Sequence, residues 1–134
     1  MTQVDFYVPA AEQSLLQTAC RLIETARSRN LHVHVHTQDA TQAQALSHML
    51  WTQREDSFLA HDSDVPDAIA PVRIGQTEPT WDAQVLLNLS SEIPLFFARH
   101  ERLLEFVDPE QPDPARERFR FYRDRGYAPN THKL

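Results

Sequence analysis

The segment Asp113-Pro114-Ala115-Arg116-Glu117-Arg118-Phe119-Arg120-Phe121-Tyr122-Arg123-Asp124-Arg125-Gly126-Tyr127 sets arginines among aromatic and apolar residues at helical spacing. At about 100° per residue, Ala115, Phe119 and Tyr122 share one face, and Arg116, Arg120 and Arg123 form the adjacent stripe. Guanidinium forks grip carboxylates through two parallel bonds, and an apolar notch beside them takes a side chain. The pattern suits an acidic peptide that ends in a hydrophobic residue. Residues 113–134 hold six of the thirteen Lys and Arg against three acids, a charge of +3 on a chain of formal charge −6. Positive charge concentrated in this way on an acidic protein reads as a local anion site. The competing reading is a solvated helix laced with i,i+4 pairs.

Three further constellations could carry chemistry. His32, His34 and His36 alternate on an extended run, so their side chains share a face and could present imidazoles to zinc or copper. Side chains at i and i+2 stand roughly 6.6–7 Å apart on a strand, which is wide for one ion, and no Cys or acidic cluster lies nearby in the sequence. A metal-dependent enzyme on this face is therefore the alternative to a binding function. The run Leu50-Trp51-Thr52-Gln53-Arg54-Glu55-Asp56-Ser57-Phe58-Leu59-Ala60-His61 places large apolar groups among charges. That is the composition of a protein–protein contact, or of a loop folded back over the end of a sheet. Pairings such as Ser57 with His61 or Ser47 with His48 are too generic to name a nucleophile and base. No catalytic set emerges, and Asp62 and Asp64 read as solvated loop charges.

The elements that must hold these residues alternate. Val4–Val8 reads as a first strand stopped by Pro9. Residues 11–29 have helical spacing, with Leu15, Leu16, Ala19, Leu22, Ile23 and Ala26 inward and Asn30 as the C-terminal cap. Leu31–His36 is a second strand, and Asp39 caps a second helix through Trp51 with Ala43, Leu46 and Leu50 inward. Residues 52–68 read as a long loop. Ile69–Gly75 reads as a short edge strand, because Pro71 lacks a ladder donor. Val85–Leu89 is apolar enough for a central strand buried on both faces. A Phe-rich helical turn spans Pro94–His100, and Leu103–Val107 is the last strand. Asp113 caps the final helix, with Pro114 at its first position.

Strands alternating with helices imply an α/β fold with a mostly parallel sheet between helix layers. The 134 residues are expected to form a single domain, residues 1–134. Gly75 and Gly126 are the only glycines, so the fold lacks a nucleotide-binding glycine loop and no cofactor is expected. No apolar run approaches the ~20 residues that span a membrane. The start lacks a signal-peptide pattern, and the single Cys20 cannot form an internal disulfide, so a cytoplasmic setting is expected. Overall acidity opposes strong direct binding to DNA, which needs many phosphate contacts.

Four pieces together resemble the chi subunit of bacterial DNA polymerase III holoenzyme. They are Val4-Asp5-Phe6-Tyr7; Leu50-Trp51 with Ser57-Phe58-Leu59-Ala60-His61; Val85-Leu86-Leu87-Asn88-Leu89; and Ala115-Arg116-Glu117-Arg118-Phe119-Arg120 with Tyr122-Arg123 and Gly126-Tyr127. The resemblance covers essentially the whole chain. It implies a non-catalytic, Rossmann-like accessory protein of the clamp loader that binds no nucleotide. It also implies two surfaces, which together link the replisome to coated lagging-strand DNA. One, formed by Val107, Arg116, Phe119 and Arg120, would bind the acidic, Phe-terminated tail of single-stranded DNA-binding protein, with Arg116 on the terminal carboxylate and Arg120 on the tail's acids. The other, formed by Trp51, Phe58, Leu59 and His61, would bind the psi subunit, and in some relatives a repair helicase. Ala60 stands where the family often has proline, and Pro109–Pro112 lacks a lysine that some relatives carry near the tail site.

Overall fold

The apolar runs are short and separated by polar turns, and each helix carries one apolar stripe, so strands and helices must bury one another in layers. A computed structural model describes residues 1–52 and 60–134. In chain order come β1 (Gln3–Val8), α1 (Leu15–Ser28), β2 (Val33–His36), α2 (Ala40–Thr52), β3 (His61–Ser63), β4 (Val72–Gly75), β5 (Val85–Asn88), a 3-10 turn (Phe97–Arg99), β6 (Arg102–Phe106), α3 (Asp113–Asp124) and β7 (Asn130–Lys133). Among the described residues these strands make one seven-stranded sheet in the order β3-β4-β2-β5-β6-β1-β7, and every pairing is parallel.

Alternation along the strands divides the core. Val33, Val35, Val72, Ile74, Val85 and Leu87 meet α1 and α2 on one face. Val4, Phe6, Leu86 and Leu103 meet Phe97 and α3, through Ala115 and Tyr122, on the other. The result is a three-layer α/β fold with β5 at its centre, buried along its length.

Local chemistry explains the boundaries. Ser14 caps α1 in a capping box: its Oγ accepts from Gln17 N at 3.1 Å, and Gln17 Oε1 accepts from Ser14 N at 2.8 Å. The helix therefore starts at Leu15, later than its apolar spacing alone suggests. After its last turn Asn30 takes φ 59°, the left-handed conformation that suits Asn at a helix end. Asp39 Oδ1 accepts from Gln42 N at 2.8 Å and starts α2 as expected.

Four expectations are corrected. Residues 52–68 include a strand, β3, which pairs with β4. β4 is consequently internal; Pro71 precedes it and offers only its carbonyl, which accepts from Val33 N at 2.9 Å. Leu103–Val107 is not the last strand, because Gly126, at φ 86°, turns the chain from α3 toward β7, which pairs with β1. Asp113 is the first residue of α3 and not its cap; Pro112 holds the cap position without a side-chain bond.

A buried polar cluster fastens α3 to the sheet. Glu105 on β6 is fully buried. Its Oε1 accepts from Arg118 Nε at 3.1 Å, and its Oε2 accepts from Tyr122 Oη at 2.6 Å and Asn88 Nδ2 at 3.0 Å. Arg118 also donates to the carbonyls of Ser91 and Phe106, each at 3.1 Å. Burial pushes the Glu105 carboxyl up, and the Arg118 charge and these three donors oppose that.

Candidate functional site

With Ala115, Arg118 and Tyr122 turned inward, α3 must present Arg116 and Arg120 to solvent, and Phe119 lies at the border. Phe119 packs on Phe6 of β1, ring centroids 5.3 Å apart. A cavity of about 210 Å³ opens there, walled by Val107, Phe119, Pro112 and Arg116, with Val8 and Thr131 of the two outer strands. Beside it, Arg116, Phe119, Arg120 and Asp113 line a second, open depression of about 470 Å³. The structure therefore brings Val107, Arg116, Phe119 and Arg120 together. Arg116 Nη1 lies 3.2 Å from Asp113 Oδ1, both side chains well exposed. Such a pair is worth little and can exchange for an incoming carboxylate. Arg120 makes no ion pair among the described residues. An apolar hole flanked by two available guanidinium groups can hold a hydrophobic side chain and carboxylates at once.

Sequence reasoning missed part of the cavity wall. Val8 and Thr131 enter it only because β7 adds to β1, and Asn-Thr-His-Lys carries no alternating apolar signal. Arg118 counts among the basic residues of the segment, yet it is buried. Its spacing from Ala115 and Tyr122, three before and four after, is the signal that puts it inside.

At the opposite end of the sheet, Trp51 closes α2 with half its surface exposed. Its ring lies 5.1 Å from that of His61. His61 Nε2 shares a 2.8 Å hydrogen bond with Ser47 Oγ, which ties β3 to α2. Trp51 and His61 are thus neighbours; Phe58 and Leu59 lie outside the described residues.

The histidine face does not assemble as metal ligands. His34 is fully buried, and its Nδ1 accepts from Trp81 Nε1 at 3.1 Å. His32 is exposed with Trp81 at 5.5 Å, and His36 packs edge-on against Phe96. Among the described residues no group of three or more His, Cys, Asp or Glu could hold a metal ion. The alternative of a metal-dependent enzyme on His32, His34 and His36 is therefore not supported by the described residues.

Burial makes His34 and His36 acid-sensitive. It pushes the His34 imidazole down to about 4, and those of His36 and His100 also fall. Between the ordinary value of 6.5 and about 4 the unfolded chain binds a proton at His34 that the folded chain refuses, so stability falls with pH across that window. The expected loss from His34 is on the order of 3 kcal/mol by pH 4. Urea midpoints measured from pH 7 to pH 4 check this, and His34→Gln should flatten the slope.

The sequence pattern of the family described as "DNA polymerase III chi subunit, HolC" matches residues 1–130. The chain is also 41% identical over 139 residues to the DNA polymerase III subunit chi of Pseudomonas aeruginosa, covering 100% of this chain and 98% of that protein. This chain belongs to the DNA polymerase III chi subunit family. The chi subunit of Escherichia coli K12 is 27% identical over 121 residues, covering 86% of this chain and 82% of that one. Membership of the chi family sets the chain in DNA replication as an accessory subunit by name. The fold bears on a chi protein in one more respect. At the carboxyl ends of β5 and β6, where α/β sheets usually bind ligands, a crevice is lined by Asn88, Ser90 and Arg118. There Arg118 is committed to Glu105 and two carbonyls, and neither glycine lines the crevice.

Proposed function

We propose that this chi protein is a non-catalytic bridge with two binding surfaces. On α3, Val107, Arg116, Phe119 and Arg120 take the acidic tail of single-stranded DNA-binding protein. The tail's last side chain enters the cavity over Phe6, its terminal carboxylate pairs with Arg116, and its preceding acids lie toward Arg120. The psi subunit binds the set Trp51, Phe58, Leu59 and His61, of which Trp51 and His61 lie together at the other edge of the sheet. A repair helicase would compete for that second surface. The bridge joins the clamp loader to coated lagging-strand DNA from the cytoplasm. The whole chain, residues 1–134, acts as one domain, needs no cofactor or metal and makes no strong direct contact with DNA.

The observation that carries this reading is the apolar cavity set directly against Arg116, with Arg120 one turn further on. A few charged contacts and one buried side chain correspond to an affinity on the order of micromolar. Exposed charges are screened by salt. Binding of a labelled acidic, Phe-ended peptide should therefore weaken severalfold between low and physiological salt, and Phe119→Ala should weaken it about tenfold at either, because the cavity loses a wall. Affinity that ignores both salt and Phe119 would refute the assignment.

A further inference from the structure

On the face that α1 covers, β1 and β6 leave a cavity of about 250 Å³ beside the end of that helix. Leu22, Leu31 and Leu104 supply apolar wall, and Tyr7, Arg29 and Arg102 supply the polar groups. The arginine donors are not used up. Arg29 makes no ion pair or side-chain hydrogen bond among the described residues. Arg102 Nη2 reaches Asp5 Oδ2 only at 3.5 Å, and its Nε is buried with no partner. A buried donor on a charged group is costly to leave without an acceptor and is rarely so left.

Asp5 does not neutralise the pair of arginines. Its Oδ1 lies 2.9 Å from His132 Nε2, and its Oδ2 accepts from Gln3 Nε2 at 3.0 Å. Two guanidinium groups against this one carboxylate leave a positive charge at the cavity. The Tyr7 ring stacks on His132 with centroids 4.9 Å apart, which fixes its direction. Burial, and then the Asp5 charge, push its hydroxyl above the ordinary value against the lowering pull of Arg102 and Arg29, so it keeps its proton. That hydroxyl can donate to an oxyanion held by the arginines.

We propose that this cavity binds a small organic oxyanion, one carboxylate or phosphate on an apolar body. Arg102 and Arg29 hold the charged end, Tyr7 donates to it, and the leucines cover the body. The site lies on the opposite face of the sheet from the α3 cavity, so it does not depend on tail binding.

The test is an NMR titration of the full chain with benzoate and, separately, phenyl phosphate, against sodium chloride at matched ionic strength. Saturable shifts of Tyr7, Leu22 and Leu104 with either anion and not with chloride are expected, with a dissociation constant on the order of millimolar. Benzoate alone would name a carboxylate as the natural group, and phenyl phosphate alone a phosphate. Arg29→Gln should weaken binding about tenfold, the loss of one charge-assisted contact, and Arg116→Ala should leave it unchanged. Arg102→Lys, which keeps the charge but removes the fork and Nε, should also weaken it. Because Arg29 is exposed at the helix end, its variant decides the matter even if Arg102→Lys fails to fold. No saturable shift, equal shifts with chloride, or identical titration of Arg29→Gln would overturn the proposal. In the last case Arg29 serves only the dipole of α1.

Discussion

Arg116→Ala is expected to weaken binding of an acidic peptide ending in phenylalanine by about 10- to 100-fold, whereas Trp51→Ala leaves it unchanged. The magnitude follows from losing charge-assisted hydrogen bonds to a terminal carboxylate, worth about 1.5–3 kcal/mol. Arg116 is exposed and, among the described residues, pairs only with Asp113, so its removal should not disturb the fold. The contrast with Trp51 is the informative part. Trp51 belongs to the end of α2 and neighbours His61 of β3, at one edge of the sheet. The α3 cavity borders β1 and β7 at the other edge. Peptide titrations of both variants, with folding checked by circular dichroism, measure this. Equal loss in both would refute the two-surface reading. Binding of psi should show the reverse dependence.

Arg118→Met should be among the most destabilising single changes in the chain. It leaves Glu105 buried without a countercharge, which costs about 3–5 kcal/mol. For a chain of this size the midpoint of thermal unfolding should fall by about 10 °C or more. Adding Glu105→Leu to Arg118→Met should recover much of the loss, because a buried ion pair replaced as a whole by apolar groups is often nearly neutral. Tyr122 and Asn88 limit the recovery, since their donors would lose an acceptor. Thermal melts of the single and double variants decide it. A single variant within about 1 kcal/mol of the parent would show that the cluster does not anchor α3. The same cluster turns Arg116 and Arg120 outward, so a folded double variant should still bind the tail peptide.

Much of this architecture is legible from the residues. β5 declares itself because Val85-Leu86-Leu87 is apolar on both faces, and it lies at the centre of the sheet. α1 and α2 follow from apolar spacing, and Asp39 and Asn30 mark two of their ends as expected. The edge strands do not declare themselves. β3 is His-Asp-Ser and β7 is Asn-Thr-His-Lys, with every β7 residue exposed. Edge strands of this kind bury too little to impose a period of two, so only pairing with β4 and β1 reveals them. Pro71 suggests an edge strand because it lacks a donor, but it precedes β4 and costs that strand none.

The candidate site divides similarly. The stripe of Arg116 and Arg120 beside Phe119 is visible on a helical wheel, and the structure sets it against a cavity. The rest of its lining is not visible, since Phe6, Val8 and Thr131 come from strands far apart in the sequence, and Val107 follows only from the family resemblance. Arg118 was hidden by its charge, although its spacing places it inside. Histidines 32, 34 and 36 have the alternation of metal ligands but a spacing wide for one ion, and in the structure His34 and His36 are partnered by Trp81 and Phe96. Trp81, 47 residues further along the chain, supplies the hydrogen bond to His34.

The most direct measurement is a titration of this protein with an acidic peptide ending in Pro-Phe with a free carboxylate, beside the same peptide without its terminal Phe. Saturable binding of the first alone, with affinity on the order of micromolar, is the expected result, because the cavity beside Arg116 requires both a side chain and a carboxylate. Binding of both peptides equally, or of neither, would contradict the assignment of α3 as the tail site.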